Sequence, residues 1–408
     1  MKILFTTHHL DDFAGSELYT FDITRSLRSS GHDIFVYSPV LGKVSGKIKD
    51  ADIEITDDLR EFKEIDFDVI YAQHNTTAII ARSVFPKTPM IFCSHSAYHE
   101  IEQPPSIDIG IHSYVALHEE IYDNLKDNYH VSDDRIELIR TPINFDKFSY
   151  NSVINEKPKK LLVISNHYKD DVKKVIEEAC SKEGLKCYHI GLPENPVEDV
   201  KKYIDESDIV VTLGRGALES LASGRMVIVF DHFGGDGAVT IKSFDALRAH
   251  NFSGRSFGRH YSTDEFVEEV RRLRNADREA LSKKVFEEHE IARVSKKLLA
   301  SLKKAKGTEV RSSILEGHLL NELTFLENMA KNAGRLGKET IEISRIVKLR
   351  DNEISGLRKV ITTEQDKALL ADRELKRKEK ELQEIKSKSC VKLIMWFYRK
   401  LLSKRNDS

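Results

Sequence analysis

Two short segments carry residue types at spacings suited to chemistry. The first is Val211-Thr212-Leu213-Gly214-Arg215-Gly216-Ala217-Leu218-Glu219, which follows an apolar run and opens a helical pattern. Gly214 and Gly216 are expected to let the backbone approach a ligand closely. The free N–H groups and the dipole at a helix start favour a diphosphate. Arg215 would add a charge-assisted contact to it. Glu219, one turn into the helix, would accept hydrogen bonds from the paired hydroxyls of a ribose, against a competing reading as compensation of the helix N-terminus. The second segment, Ala14-Gly15-Ser16-Glu17, lies between the first strand and the first helix. There Gly15 is expected to permit a tight turn and the helix start to hold an anion or a substrate hydroxyl, although helices also begin this way for capping alone.

The elements that must position these segments alternate regularly. Lys2-Ile3-Leu4-Phe5 reads as a strand, Ser16 to Ser29 as a helix broken by Gly31-His32, and Ile34 to Tyr37 as the next strand. Further strands are expected at Val69–Ala72, Met90–Cys93 and Tyr114–Ala116. After a polar, Lys-rich stretch from Asn144 to Lys159, the rhythm restarts at Leu161–Ile164 and continues at Cys187–Ile190, Ile209–Leu213 and Met226–Phe230. Apolar runs with helices between them predict parallel sheets buried on both faces, hence two doubly wound α/β units in tandem, 1–150 and 151–305. Past Ser262 the strands stop, and Thr263 to Leu302 reads as helical.

A charged segment, 306–388, follows. Val347, Ile354, Ile361, Ala368, Leu375 and Leu382 recur at intervals of seven, the seam of a coiled coil. The companion positions Arg350, Glu364 and Lys378 are polar, so a single exposed helix competes with dimerisation. In the tail, 389–408, Val391, Ile394, Met395, Tyr398, Leu401 and Leu402 share one helical face, with Trp396 and Phe397 adding aromatic bulk and Lys392, Arg399 and Lys400 lying opposite. That pattern fits a membrane interface or a helix docked on the body.

Composition narrows the function classes. Lys+Arg 64 against Asp+Glu 66 removes the basic excess that a nucleic-acid binder needs. Cys93, Cys180, Cys187 and Cys390 form no CxxC pair, so neither a zinc knuckle nor a redox pair is suggested, and they fit a reducing cytoplasm. No stretch approaches the roughly 20 apolar residues that span a bilayer. The first residues read as a buried strand rather than a signal peptide.

From Met1 to about residue 300 the chain resembles retaining glycosyltransferases of the GT-B fold, family 4 in particular. Gly15-Ser16-Glu17 and Gly31-His32-Asp33-Ile34 resemble the family's N-terminal pattern. Glu219-Ser220-Leu221-Ala222-Ser223-Gly224, followed by Arg225-Met226-Val227-Ile228, resembles the second half of its paired-glutamate motif. The earlier glutamate, which in the family positions the donor sugar, falls at Val211. The basic residues that members place after the first strand of the second domain are represented only by Lys169 in Ser165-Asn166-His167-Tyr168-Lys169.

The resemblance implies two Rossmann-like domains facing across a cleft, followed by a helical or coiled-coil tail. It further implies a nucleotide-sugar as substrate rather than cofactor, with Gly15, Ser16, Asn166, Gly214, Arg215, Gly216 and Glu219 at the donor. A histidine at an N-domain strand end would face the donor sugar. His95 in Ser94-His95-Ser96 is preferred over His74 in Gln73-His74-Asn75, with a histidine satisfied by backbone as the rival. The Gly-rich run Asp231–Gly237 would lie near the sugar or serve only as a connection. Asp66-Phe67-Asp68 precedes its strand, whereas ligands gather at carboxyl ends, so no metal is expected.

The implied reaction transfers a sugar, with retention, to a glycan or lipid-linked acceptor in surface polysaccharide synthesis. It would take place in the cytoplasm or peripherally at the inner face of the cell membrane. The rivals are a degenerate GT-B scaffold acting through its coiled coil, a nucleotide-sugar epimerase, and a structural coiled-coil protein with an incidental head.

Overall fold

The computed structural model describes residues 1–151, 155, 157–192, 194–310, 367, 372–384 and 392–396. The chain begins β1 (Lys2–Thr6), β2 (His9–Leu10), α1 (Gly15–Ser29), β3 (Asp33–Tyr37), β4 (Val40–Leu41), α2 (Lys43–Asp50) and β5 (Glu54–Thr56). It continues β6 (Val69–Ala72), α3 (Asn75–Val84), β7 (Met90–Ser94), β8 (Ile111–Ala116), α4 (Glu119–Asp127) and β9 (Ile136–Leu138). The second half runs β10 (Lys160–Ile164), α5 (Asp170–Glu183), β11 (Lys186–Ile190), α6 (Val200–Asp205), β12 (Ile209–Thr212), α7 (Arg215–Ala222), β13 (Met226–Asp231), β14 (Gly234–Ala238) and α8 (Phe244–Ala249). It closes with α9 (Thr263–Arg272), α10 (Arg278–His289) and α11 (Ile291–Ala305).

The first sheet has seven strands in the order β5-β3-β1-β6-β7-β8-β9, all parallel. The second has five, β11-β10-β12-β13-β14, parallel except for β14. Strands such as Val69-Ile70-Tyr71-Ala72 and Ile209-Val210-Val211-Thr212 are buried along their whole length, because helices cover both faces. The apolar runs found in the sequence are these strands.

Two features depart from the expected layout. The Gly-rich run after β13 is not only a loop, since Gly234–Ala238 forms a buried antiparallel edge strand with Asp231 opposite Gly234. Three glycines in five residues leave no side-chain alternation to read, which is why the strand is silent in the sequence. The region after Ser262 is broken by Leu273–Asn275 and by the turn at Glu290 into three helices.

The last of these, α11, packs on the first domain: Val294, Leu298, Leu302 and Ala305 share a core with Ile23 and Leu27 of α1 and with Ile3 and Phe5 of β1. Residues 291–305 thus join the first domain's core, although they follow the second domain in sequence. The two crossing segments meet where the Ile143 N–H donates to His289 O at 2.7 Å and the Ile291 N–H donates to Ile143 O at 3.1 Å.

Of the heptad positions, Val347, Ile354, Ile361 and Ala368 lie outside the described residues, as do Cys390, Val391 and the tail beyond Trp396. Residues 372–384 and 392–396 are helical and exposed, Leu375 at 57% and Leu382 at 52% included.

Leu298 is fully buried at the α1–α11 contact. Leu298→Ala is expected to lower unfolding free energy by about 3 kcal/mol through lost transfer energy and a cavity. Urea unfolding followed by circular dichroism measures it.

Candidate functional site

In each sheet the connections run outward in opposite directions from one point, between β1 and β6 in the first and between β10 and β12 in the second. Crevices at such switch points, beyond the carboxyl ends of the strands, are where doubly wound sheets bind ligands.

The first crevice is lined by Thr7-His8-His9 after β1 and by Gln73-His74 after β6. Glu17, in the first turn of α1, is 1% exposed and lies 3.0 Å from His9 through Oε1 and Nε2. That hydrogen bond raises the His9 pKa above its ordinary 6.5 against the opposing effect of burial. His74 is fully buried. Its Nδ1 accepts the His8 N–H at 3.1 Å, and its Nε2 has no partner among the described residues. Burial, then the neighbouring histidines His95, His9 and His8, hold its pKa well below 6.5.

His95, at the end of β7, packs edge-on against Tyr19 with ring centres 4.8 Å apart, and its Nε2 lies 2.9 Å from Gln73 Oε1. Burial presses its pKa down to about 3. His95 is therefore neutral: Nε2–H donates to the amide oxygen, and Nδ1 is left as an acceptor. It can bind a hydroxyl but cannot act as a standing cation. His9 is the partly exposed imidazole of this crevice whose partner favours its charged form, and nothing in the sequence marked it, although it lies just past the end of β1 and opens β2. His9, Asp11 and Glu17 also offer ligand atoms all within 4.8 Å of one another, the one such group among the described residues. Asp68 lies at the opposite end of its strand, paired with Lys306 at 2.8 Å.

Gly15 and Ser16 play other parts than expected. Gly15 is the first residue of α1 and is not among the glycines of positive φ, so no tight turn depends on it. The Ser16 hydroxyl donates to Glu17 Oε2 at 2.9 Å and so belongs to the network that holds His9.

In the second crevice Gly214 takes φ +56°, a left-handed conformation that favours glycine, and turns the chain from β12 into α7. The Gly214 N–H is used by Phe252 O at 2.9 Å and that of Ala217 by Gly214 O, leaving those of Arg215 and Gly216 as open donors among the described residues. A Cβ on Gly216 would stand 2.5 Å from Thr212 Oγ1. That glycine thus serves the packing of α7 against β12. Asn166 Oδ1 accepts the Leu192 N–H at 2.9 Å, which ties the loops after β10 and β11 together. The Ser165 hydroxyl donates to Asp231 Oδ2 at 2.9 Å.

Val211, where the resemblance aligns the family's first glutamate, is fully buried inside β12, with Val163 and Ile228 beside it in register. Only Leu213 and Gly214 separate β12 from α7, so the eight-residue spacing back from Glu219 ends inside the sheet.

Arg215 and Glu219 are not free at the crevice wall. Arg215 Nε donates to Glu219 Oε1 at 2.7 Å, and Nη2 donates to Asp22 Oδ2 of α1, across the cleft. The three side chains are 11%, 7% and 11% exposed, and Arg215 Nη1 has no partner among the described residues. Burial opposes the guanidinium charge, but Asp22 and Glu219 raise its pKa. Burial pushes the Glu219 pKa up against the pull of Arg215. The two domains meet again at Glu120, which accepts from Arg255 Nη2 at 2.6 Å, from Tyr98 Oη at 2.9 Å, and lies 3.2 Å from His250 Nδ1. Burial opposes ionisation, but these contacts hold the Glu120 pKa down to about 2.

No family model matches the chain, and no curated protein sequence does. Solved structures do. A glycosyltransferase from Rickettsia africae superposes with a TM-score of 0.56 at 16% identity over 74% of this chain and 98% of its own. HepE of Anabaena, solved with UDP and glucose, gives 0.53 at 11% identity over 74% of this chain and 100% of its own. The lipopolysaccharide outer core galactosyltransferase WaaB gives 0.50 at 12% identity over 74% and 100%. The fold is GT-B. In this GT-B chain the two switch-point crevices form the candidate site, one lined by histidines and Glu17, the other built on the start of α7.

His9 gains its partner on folding, so its contribution to stability is fully present below pH 6.5 and is lost as the pH rises through its raised value. Glu17→Gln removes the acceptor's charge. The His9 midpoint, read by NMR of the ring protons, is expected to fall below that of the parent chain.

Proposed function

We propose that this chain transfers a sugar from a nucleoside-diphosphate donor to an acceptor hydroxyl, with the diphosphate on the start of α7. The observation that carries the reading is Arg215: a buried guanidinium with one N–H group unpartnered, at a helix start whose first N–H groups are open, in the switch-point crevice. An anion is the ligand that completes such a set. HepE of Anabaena, which shares the fold, was solved with UDP and glucose, and this favours a UDP-sugar among nucleotide donors.

In this reading the helix start and Arg215 stabilise the departing diphosphate, an electrostatic device that needs no metal. Neutral His95 and the His9–Glu17 pair meet sugar or acceptor hydroxyls from the opposite wall. Domain closure excludes the water that would hydrolyse the donor. Retention at the anomeric carbon is the course that the family-4 resemblance implies, and a glycan or lipid-linked acceptor of surface polysaccharide synthesis is the acceptor class it favours. The buried Val211 favours a second reading, a GT-B module that binds a nucleotide-sugar without turning it over.

A thermal-shift screen of the full chain against UDP-, GDP- and dTDP-sugars tests binding. A donor at 100 times its Kd stabilises by about 2.7 kcal/mol, so a bound donor registers. Absence of a shift with all three classes, in the parent chain and in Asp22→Asn alike, overturns the reading. Donor consumption followed by NMR, with and without EDTA, then separates turnover from binding alone. The expected product keeps the donor's anomeric configuration and forms equally with the chelator present.

The helical residues 392–396 expose Leu393 at 63%, Ile394 at 64% and Trp396 at 54%, next to Lys392. This supports a peripheral contact of the tail with an anionic membrane surface. A chain ended after residue 385 is expected to lose flotation with vesicles of anionic lipid that the full chain shows; equal flotation of both would exclude the contact.

A further inference from the structure

We infer that Asp22 competes with the donor's diphosphate for the Arg215 guanidinium, so that this one carboxylate sets donor affinity from the opposite domain. The inference rests on the donor reading above and names a regulation of that same site.

A guanidinium offers five N–H groups in a planar fork, and its preferred partners are carboxylates and phosphates that take two of them at once. On Arg215 the Nε group is engaged by Glu219, one turn along its own helix, and Nη2 by Asp22 on α1 of the first domain. Nη1 is buried with no acceptor, a costly arrangement unless an acceptor is to be received there. The cation already has a carboxyl group on two of its nitrogens. A diphosphate arriving at the start of α7 meets a favourable helix end, an open N–H on Arg215, and the like charge of Asp22.

The two partners of Arg215 differ in what their removal does. Glu219 travels with Arg215 on α7 and keeps its bond however the domains move. Asp22 belongs to α1, and its bond to Arg215 exists only while the middle of α1 faces the start of α7 closely. The donor's oxygens therefore replace Asp22, not Glu219, on the outer edge of the fork. Part of the donor's binding energy goes into breaking the Asp22 contact. Removing the Asp22 charge while keeping its shape lowers that cost, so a substitution in the opposite wall tightens donor binding.

Isothermal titration of the full chain with UDP-glucose, GDP-mannose, dTDP-glucose and inorganic pyrophosphate tests this, using the parent chain, Asp22→Asn, Arg215→Ala and the double variant. Asp22→Ser serves as a second replacement, and the melting temperature of each variant checks folding. The expected result is a lower Kd for Asp22→Asn by roughly fivefold or more, the lower end of usual coupling between sites. Arg215→Ala should raise Kd, and Asp22→Asn should have no effect in the Arg215→Ala background. Binding by Asp22→Asn alone, with none by the parent chain, supports the competition in its strongest form. An unchanged or higher Kd in both folded Asp22 variants, with the parent chain binding a nucleotide, overturns the inference and leaves the donor reading standing. If neither the parent chain nor either Asp22 variant binds any of the four probes, the inference and the donor reading fall together.

Discussion

A parallel sheet covered by helices on both faces has no polar face to give to a ligand. Its only accessible polar groups lie at the ends of strands, and only where neighbouring connections diverge do those ends leave a crevice. Both sheets of this chain obey that constraint, one diverging between β1 and β6, the other between β10 and β12. The residues of chemical interest follow from it: His8 and His9 come directly after β1, Gln73 and His74 after β6, Asn166 after β10, and Gly214 with Arg215 after β12. Distances of many tens of residues along the chain collapse into two short rims.

The histidine rim shows how burial sorts residues of one type into different roles. His74 and His95 are held neutral by burial, whereas the buried Glu17 carboxylate supplies His9 with a partner that favours its charged form. Neutral imidazoles exchange hydrogen bonds with hydroxyls at little cost. An imidazole tied to a carboxylate holds its ring in one orientation. A sugar, which is a dense array of hydroxyls on an apolar frame, suits a wall that offers both.

What could be read in the sequence was what depends on local order. Strand runs such as Val69–Ala72 and Met226–Phe230, and the turn at Gly214, are legible because burial on both faces and the change from strand to helix leave an unbroken pattern in the residues themselves. β14 was illegible because its glycines carry no side chains to alternate. The packing of α11 on α1 was illegible because nothing in Ile291–Ala305 names the surface it covers. At the site, the types of residue were legible and their partners were not. Asn166 and Gly216 are spent on holding loops and packing a helix, and Ser16 on steadying Glu17. Val211 aligns with a family glutamate only by counting back from Glu219, and the short turn between β12 and α7 moves that count into the sheet.

Asp22 is the clearest case of a residue whose meaning exists only in three dimensions. It sits mid-helix, 193 positions from Arg215, with no turn, cap or motif around it. Yet the bond it makes joins the two domains at the place where a ligand's charge would have to enter. An ion pair buried to this degree is a poor source of stability, since desolvation cancels much of its attraction. On the donor reading proposed above, its value lies in being exchangeable. A guanidinium that passes from a carboxylate on one wall to a phosphate in the cleft stays paired throughout, so the exchange avoids the cost of a bare buried charge, and the closeness of the two domains becomes linked to what the cleft contains. The Glu120 cluster, where Arg255 and His250 of the second domain meet Tyr98 and Glu120 of the first, supplies a second contact of the same kind.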